Sequence, residues 1–542
     1  MSSLSTPASA ALPTAASGIG TLGRLAVSLA LVGLTLSPLL WAAVPPLVDY
    51  PNHLARMWIL VQNGARPELA SNYAVAWRLL PNLGMDLVVP ALAQVTPLEI
   101  AGRVFIALTL LSLVAGTMAL HRAVHGHVAL WPLAALLFLY NAALFWGFLN
   151  CLFGTGLFLF AFSGWIASRH WDPAPRIAAF TVVASSLLIV HLFAFCLYAL
   201  AVGSYELGRW RAGNDRSLRG FLFLCAEGLQ FLPGVVLWKA SVSNFEVASY
   251  TSYGDLAAKA YALQAPFTFG PTVIPLDRVT LIFLLAFLLV AILGRAIKLA
   301  PEMRLPLVAM ALAAAAMPTW LSSSWLSDIR LPVALPFVLI AATRVDPSRF
   351  RPALGGFTAI AVILLGARVW AVSETWRDAG EQFAEFRTAS QAITPGARLL
   401  IVGDDPTDGR PIPGVSSLLA RERDETFSHM AALAVIDRSA FIPSLFTGSN
   451  PVRPTPRNMG LFHTQTMPLA PEALAQSMTP AQTQSLDLQP NFLGERPFWA
   501  NWPEHFDFVL WLDFGQTSTP DLAPLRLAAS GGVFRLYRVV RP

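Results

Sequence analysis

Three ionisable side chains stand together in Val48-Asp49-Tyr50-Pro51-Asn52-His53-Leu54-Ala55-Arg56, directly after the first long apolar stretch of the chain. An acid, an imidazole and a guanidinium are costly to keep where a membrane helix meets water, so such groups are functional candidates by default. A carboxylate there can act as a base or a metal ligand, and basic groups beside it attract an anion. Pro51 suits the first turn of a helix that stops at Asn63-Gly64. That helix puts Asp49 at its N-terminal end and His53 and Arg56 on one face. The same residues also read as a helix cap followed by an interfacial arginine. Asp49 and His53 are the candidate catalytic residues, and Arg56 is a candidate for substrate binding.

Four further stretches carry chemistry. Trp77-Arg78-Leu-Leu-Pro81-Asn82-Leu-Gly84-Met-Asp86 is a turn that brings Arg78 and Asp86 to the same cavity, although Asp86 also reads as an N-cap. Tyr140-Asn141 and Trp146 to Asn150 offer two amides and aromatic rings, which suit sugar hydroxyls and ring faces or form an interfacial belt. His191 lies in the middle of an apolar run. Ser322 to Pro332 contains Asp328 and Arg330. Arginine is suited to bidentate phosphate contact, and an acid two residues away can orient it.

The elements that must position these residues follow from composition. The chain has 542 residues, 55% of them hydrophobic and 13% charged, with a mean hydropathy of +0.56. Soluble domains carry about 25% charged residues, so this is a polytopic α-helical membrane protein. The net charge of +5 does not imply nucleic acid, because the arginines sit in short clusters between apolar runs. Cys151, Cys196 and Cys225 all lie in apolar segments and read as small buried hydrophobes. Residues 1–22 read as a disordered cytoplasmic tail. Ala42-Ala43 resembles a signal-peptide cleavage point, but the run 25–44 is about 20 residues long, the length of an uncleaved span.

Apolar runs at 25–44, 98–120, 129–147, 152–168, 177–207, 219–239, 278–297, 305–322, 329–343 and 353–372 predict the spans. Basic loops at 169–176, 209–219, 295–304 and 344–351 are assigned to the cytoplasm. The run 177–207 has basic loops at both ends, so it must cross an even number of times. At about 46 Å it is too long for one helix, which predicts two short helices, 177–190 and 192–207, turning near His191. The result is about eleven crossings, with the N-terminus inside. Loop 45–97, loop 240–277 and residues 373–542 are then outside, which puts Asp49, His53, Arg56, Arg78, His191 and Arg330 on one face. Residues 23–372 form the transmembrane domain, and 373–542 a periplasmic α/β domain. In the latter, 374–392 and 415–436 read as helices, while 399–402, 506–512 and 532–540 read as strands. The stretch 443–505 reads as irregular and able to fold over the membrane part.

This arrangement resembles the GT-C superfamily of integral membrane glycosyltransferases, which use polyprenyl-phosphate sugars. The shared features are Asp49 after the first span, the return of that loop through Pro81-Asn82, the short helices around His191 and an outer C-terminal domain. The chain departs from the family where many members carry second acids; it has Tyr50, Asn141 and Asn150 there. The resemblance implies a polyprenyl-phosphate-linked sugar donor entering from the bilayer and an envelope glycan, lipid or protein acceptor. It also implies location in a bacterial inner membrane, Asp49 as general base, and Arg330 with Arg56 or Arg78 at the leaving phosphate. No nucleotide is expected, in keeping with the lack of a P-loop or dinucleotide fingerprint. The cofactor is otherwise undetermined, with a divalent metal the one candidate. Competing readings are a membrane acyltransferase with His191 or His53 as base, a transporter or flippase, and a non-enzymatic envelope-assembly protein. A transporter would carry paired internal repeats, which are not apparent.

Overall fold

The computed structural model describes residues 20–62, 64–212, 217–242, 250–270, 273–322, 324–403, 423–447, 450–462, 468–479, 498–513 and 522–541. Most of the N-terminal tail and residues 415–422 of an expected helix lie outside them. Among the described residues, seven helices are long and apolar enough to cross a membrane. They are Leu22–Leu40, Leu98–His125, Leu149–Ala167, Pro173–Val190, Leu218–Ser241, Pro275–Leu293 and Leu354–Ala392. The helix 275–293 leaves Ile282, Leu285, Leu289 and Ile292 exposed, as a lipid-facing surface does.

Several expected spans take another form. The run 129–147 is not one helix: Trp131–Phe138 is a 3-10 segment and Ala142–Phe145 a single turn. Pro132 and Asn141 start the two pieces, since proline has no N–H to donate and the Asn141 side chain accepts from the Leu144 N–H at 3.0 Å. Arg304–Ala316 and Arg330–Ala342 have 13 residues each, about 20 Å of helix and less than a bilayer core. Among the described residues, these two helices are therefore each too short for a full crossing. The run 177–207 does break where expected, giving Pro173–Val190 and Leu192–Ala212, with His191 extended between them. Cys151 is buried, but Cys196 and Cys225 are exposed on the bundle surface, contrary to the expectation for all three.

The centre of the bundle is the pairing of helices 98–125 and 149–167. A Cβ at Gly116 would stand 2.8 Å from the Leu159 Cβ, so glycine lets the two backbones approach. Buried charges are matched. Arg176 donates to Glu227 at 2.8 Å and to Glu206 at 3.4 Å, and Arg368 donates to Asp277 at 2.8 Å and to the Tyr140 carbonyl at 2.7 Å.

The last span does not stop at the bundle. One helix of 43 residues, Pro347–Ala389, runs from the bundle into the C-terminal domain, joining a span and an amphipathic helix that the sequence suggested were separate. Its far end buries Trp376, Phe383 and Phe386. The domain holds a four-stranded sheet in the order Leu399–Gly403, Phe508–Leu512, Phe534–Val539, Leu525–Ser530. The first pair is parallel and the other two are antiparallel. The stretch after residue 443 reaches back onto the first loop: Val452–Pro454 pairs antiparallel with Tyr73–Val75. Tyr73 also accepts a hydrogen bond through its hydroxyl from the Ile442 N–H at 2.9 Å.

Candidate functional site

The helix carrying the opening motif is Tyr50–Val61, with Pro51 in its first turn. Asp49 sits at the N-cap position, but its side chain makes no capping bond. Its carboxylate is 20% exposed instead of satisfied by its own helix. Two close approaches fix it. A Cβ at Gly102 would overlap the Tyr50 hydroxyl, so glycine in helix 98–125 admits Tyr50 and seats the start of the helix. Gly147, at φ +82°, lies against Asp49; a Cβ there would stand 2.9 Å from both the Asp49 Cβ and its N. The Asp49 N–H donates to the Trp146 carbonyl at 3.3 Å.

One face of this helix is held from below. Arg56 Nη2 donates to Asp86 Oδ2 at 2.8 Å, and both side chains are buried. Asp86 is thus the partner of Arg56, in place of the N-cap role. Arg56 Nε and Asp86 Oδ1 remain buried without a partner among the described residues. His53 is half-buried, with its ring edge-on to Phe446 at 5.3 Å and its Nδ1 unpartnered among the described residues. Desolvation, then Arg56 and His429, hold its pKa well below the usual histidine value, so the ring is neutral.

Arg330 starts the helix Arg330–Ala342. Its guanidinium lies 4.9 Å from the centre of the Phe148 ring, and Nη2 donates to Ser324 Oγ at 2.6 Å. It is within electrostatic range of Asp49, Asp328 and His191. Its Nε is buried without a partner among the described residues. Asp328 does not pair with Arg330 directly. It accepts from Lys259 Nζ at 3.0 Å and from Thr319 Oγ1 at 2.5 Å. His191 is buried, and its Nδ1 accepts from the Phe193 N–H at 3.1 Å, which starts the following helix.

The two amides have structural work. Asn141 caps its turn and donates to the Phe138 and Leu139 carbonyls. Asn150 accepts from the Met85 N–H at 2.6 Å and donates to the Asn82 carbonyl at 2.9 Å, tying the first loop to helix 149–167. Both amides are engaged by backbone groups, though each keeps hydrogen-bonding capacity on its oxygen and Asn150 also keeps one N–H. Arg78 is exposed and makes no hydrogen bond or ion pair with a described residue.

The sequence reading missed one neighbour of Asp49. His429, in the C-terminal domain, places Nε2 3.5 Å from Asp49 Oδ1 and is 3% exposed. Its Nδ1 faces Asn52 Nδ2 at 3.1 Å. No local signal at 426–430 marks it, since a distance of 377 residues separates it from Asn52. No group of three or more His, Cys, Asp or Glu among the described residues is arranged to hold an ion. A cavity of about 460 Å³ between Glu68 and the strand ends at Phe508 and Val539, with Arg457, Arg538 and Arg541 in its wall, contains none of these residues.

No protein-family model and no curated protein matches the chain. Among solved structures it is similar to ArnT from Cupriavidus metallidurans bound to undecaprenyl phosphate, at 13% identity and a TM-score of 0.45, over 96% of this chain and 98% of that one. It is also similar to the same ArnT in the apo state, at 14% identity and a TM-score of 0.43, over 95% and 97%.

Proposed function

We propose that the chain is a membrane glycosyltransferase of the GT-C type, moving a sugar from a polyprenyl-phosphate donor to a hydroxyl of an envelope glycan, lipid or protein. The observation that carries this is the Asp49 carboxylate, uncommitted to capping, with a half-buried Arg330 within electrostatic range of it. In this reading Asp49 accepts the proton of the acceptor hydroxyl. The hydroxyl oxygen bonds to the anomeric carbon, the bond from that carbon to the phosphate oxygen breaks, and polyprenyl phosphate leaves. Arg330 faces the charge that develops on the phosphate. Arg56, paired with Asp86, holds the helix of Asp49; it is a positioning residue in place of a phosphate ligand.

The orientation supporting this reading is the one set by the basic loops: N-terminus cytoplasmic, first loop and C-terminal domain periplasmic, in a bacterial inner membrane. The test is a deletion strain complemented with wild type, Arg330→Ala and Arg330→Lys, scored by its envelope glycan and glycolipid profile. The deletion should remove a sugar-bearing component. Arg330→Ala should restore about a hundredth of it or less, on the scale of a lost transition-state donor. An unchanged profile in the deletion strain rejects the reading, and full restoration by Arg330→Ala rejects the role of Arg330.

A further inference from the structure

We infer that His429 orients Asp49 through a tautomer fixed by Asn52, so that the C-terminal domain supplies a positioning residue to the site. This rests on the reading of Asp49 as base. The argument starts at the Asn52 amide, which is fully buried. Its Oδ1 accepts from the Phe446 N–H at 2.7 Å, and its Nδ2 donates to the Ser444 carbonyl at 2.9 Å. Turning the amide over would set NH2 against N–H and oxygen against carbonyl, so its orientation is determined by two backbone groups. The second hydrogen on Nδ2 then points at His429 Nδ1, 3.1 Å away. That nitrogen must accept, so the ring hydrogen of the neutral imidazole is on Nε2.

Nε2 is the atom that faces Asp49 Oδ1, at 3.5 Å. A donor there occupies one lone pair of the carboxylate and turns the other oxygen toward the acceptor. The separation is long for a hydrogen bond, as catalytic contacts often are before substrate binds. Phe446 packs its ring edge-on against both imidazoles, at 5.1 Å from His429 and 5.3 Å from His53. The segment 444–446 and His429 both belong to the C-terminal domain. The chain therefore completes the neighbourhood of Asp49 only when that domain is docked on the first loop.

A purely structural role, in which His429 only receives the Asn52 bond, predicts the opposite variant pattern. Asparagine at 429 can place an acceptor near the position of Nδ1 and keep the contact to Asn52, but it cannot reach Asp49. Glutamine can place an amide N–H near the position of Nε2 and keep the donor to Asp49. His429→Asn, His429→Gln and Asp49→Asn are compared with wild type in the complemented deletion strain. Product is measured per molecule of full-length, protease-resistant protein. We expect His429→Asn to fall at least about tenfold and His429→Gln to recover most of that loss. Wild-type output from His429→Asn, or an equal loss in both variants, overturns the inference. Full output from Asp49→Asn instead overturns the reading of Asp49 on which it rests, and the two failures are thereby told apart.

Discussion

Replacing one member of the Arg56–Asp86 pair should damage the protein more than replacing both. The pair is made at 2.8 Å with side chains 4% and 0% exposed, so neither charge can return to water without local unfolding. Arg56→Met leaves a buried carboxylate, and Asp86→Leu leaves a buried guanidinium. Removing one partner of such a pair costs about 3–5 kcal/mol, whereas replacing both by apolar groups of similar volume is near neutral. Against a total stability of about 5–15 kcal/mol, each single variant loses a large share of the fold. Each partner already has one unmatched atom, Arg56 Nε and Asp86 Oδ1, so no spare hydrogen bond offsets the loss. The assay is the denaturant midpoint of the full chain in a single detergent, with the slope checked for constancy. The coupling between the two sites should be several kcal/mol. A double variant as unstable as the sum of the singles would refute the reasoning, because the two charges would then be acting independently.

Further outcomes follow from the same geometry. Gly147→Ala forces an L side chain to φ +82° and sets a Cβ 2.9 Å from Asp49, so the fold should survive while product falls about a hundredfold; unchanged output would show that Asp49 tolerates displacement. His53 is held neutral, so the unfolded chain takes up a proton below a pH of about 6.5 that the folded chain refuses. Stability should therefore be full above that pH and decline as pH falls toward 5, and His53→Gln should flatten the decline in detergent melting curves. Tyr73→Phe removes a buried bond to the Ile442 N–H and should loosen the docking of the C-terminal domain by about 1–3 kcal/mol, read as faster proteolysis after residue 442. A reporter joined after residue 395 should be read on the periplasmic side; a cytoplasmic signal would reverse the assigned orientation.

Local features of the fold were legible because they depend on local chemistry. Pro51 and Gly64 bracket the helix of Asp49 within two or three residues, and the overlong run at 177–207 breaks at His191. The strands at 399–403, 508–512 and 534–539 follow from their apolar character. The strand Leu525–Ser530 was missed because it is an exposed edge with little apolar patterning. The segment 129–147 was misread because its apolar content resembles a span, while Pro132 and Asn141 decide its shape. At the site, Asp49 and Arg330 were candidates from residue type and predicted side alone, and the structure puts them within electrostatic range of each other. Asn141, Asn150 and Asp86 could not be sorted, because their partners are backbone groups or Arg56 in separate elements. His429 was out of reach for the same reason: only the return of residues 423–446 onto the first loop brings it to Asp49.

The central claim is that the Asp49 carboxylate takes a proton in sugar transfer. Asp49→Asn keeps the shape of the side chain and removes that capacity, and Asp49 makes no capping bond whose loss would confuse the result. Measured as the sugar-bearing envelope product of a complemented deletion strain, at matched protein level, output should fall about a hundred- to ten-thousandfold. A stable Asp49→Asn protein that restores the wild-type profile would contradict the account.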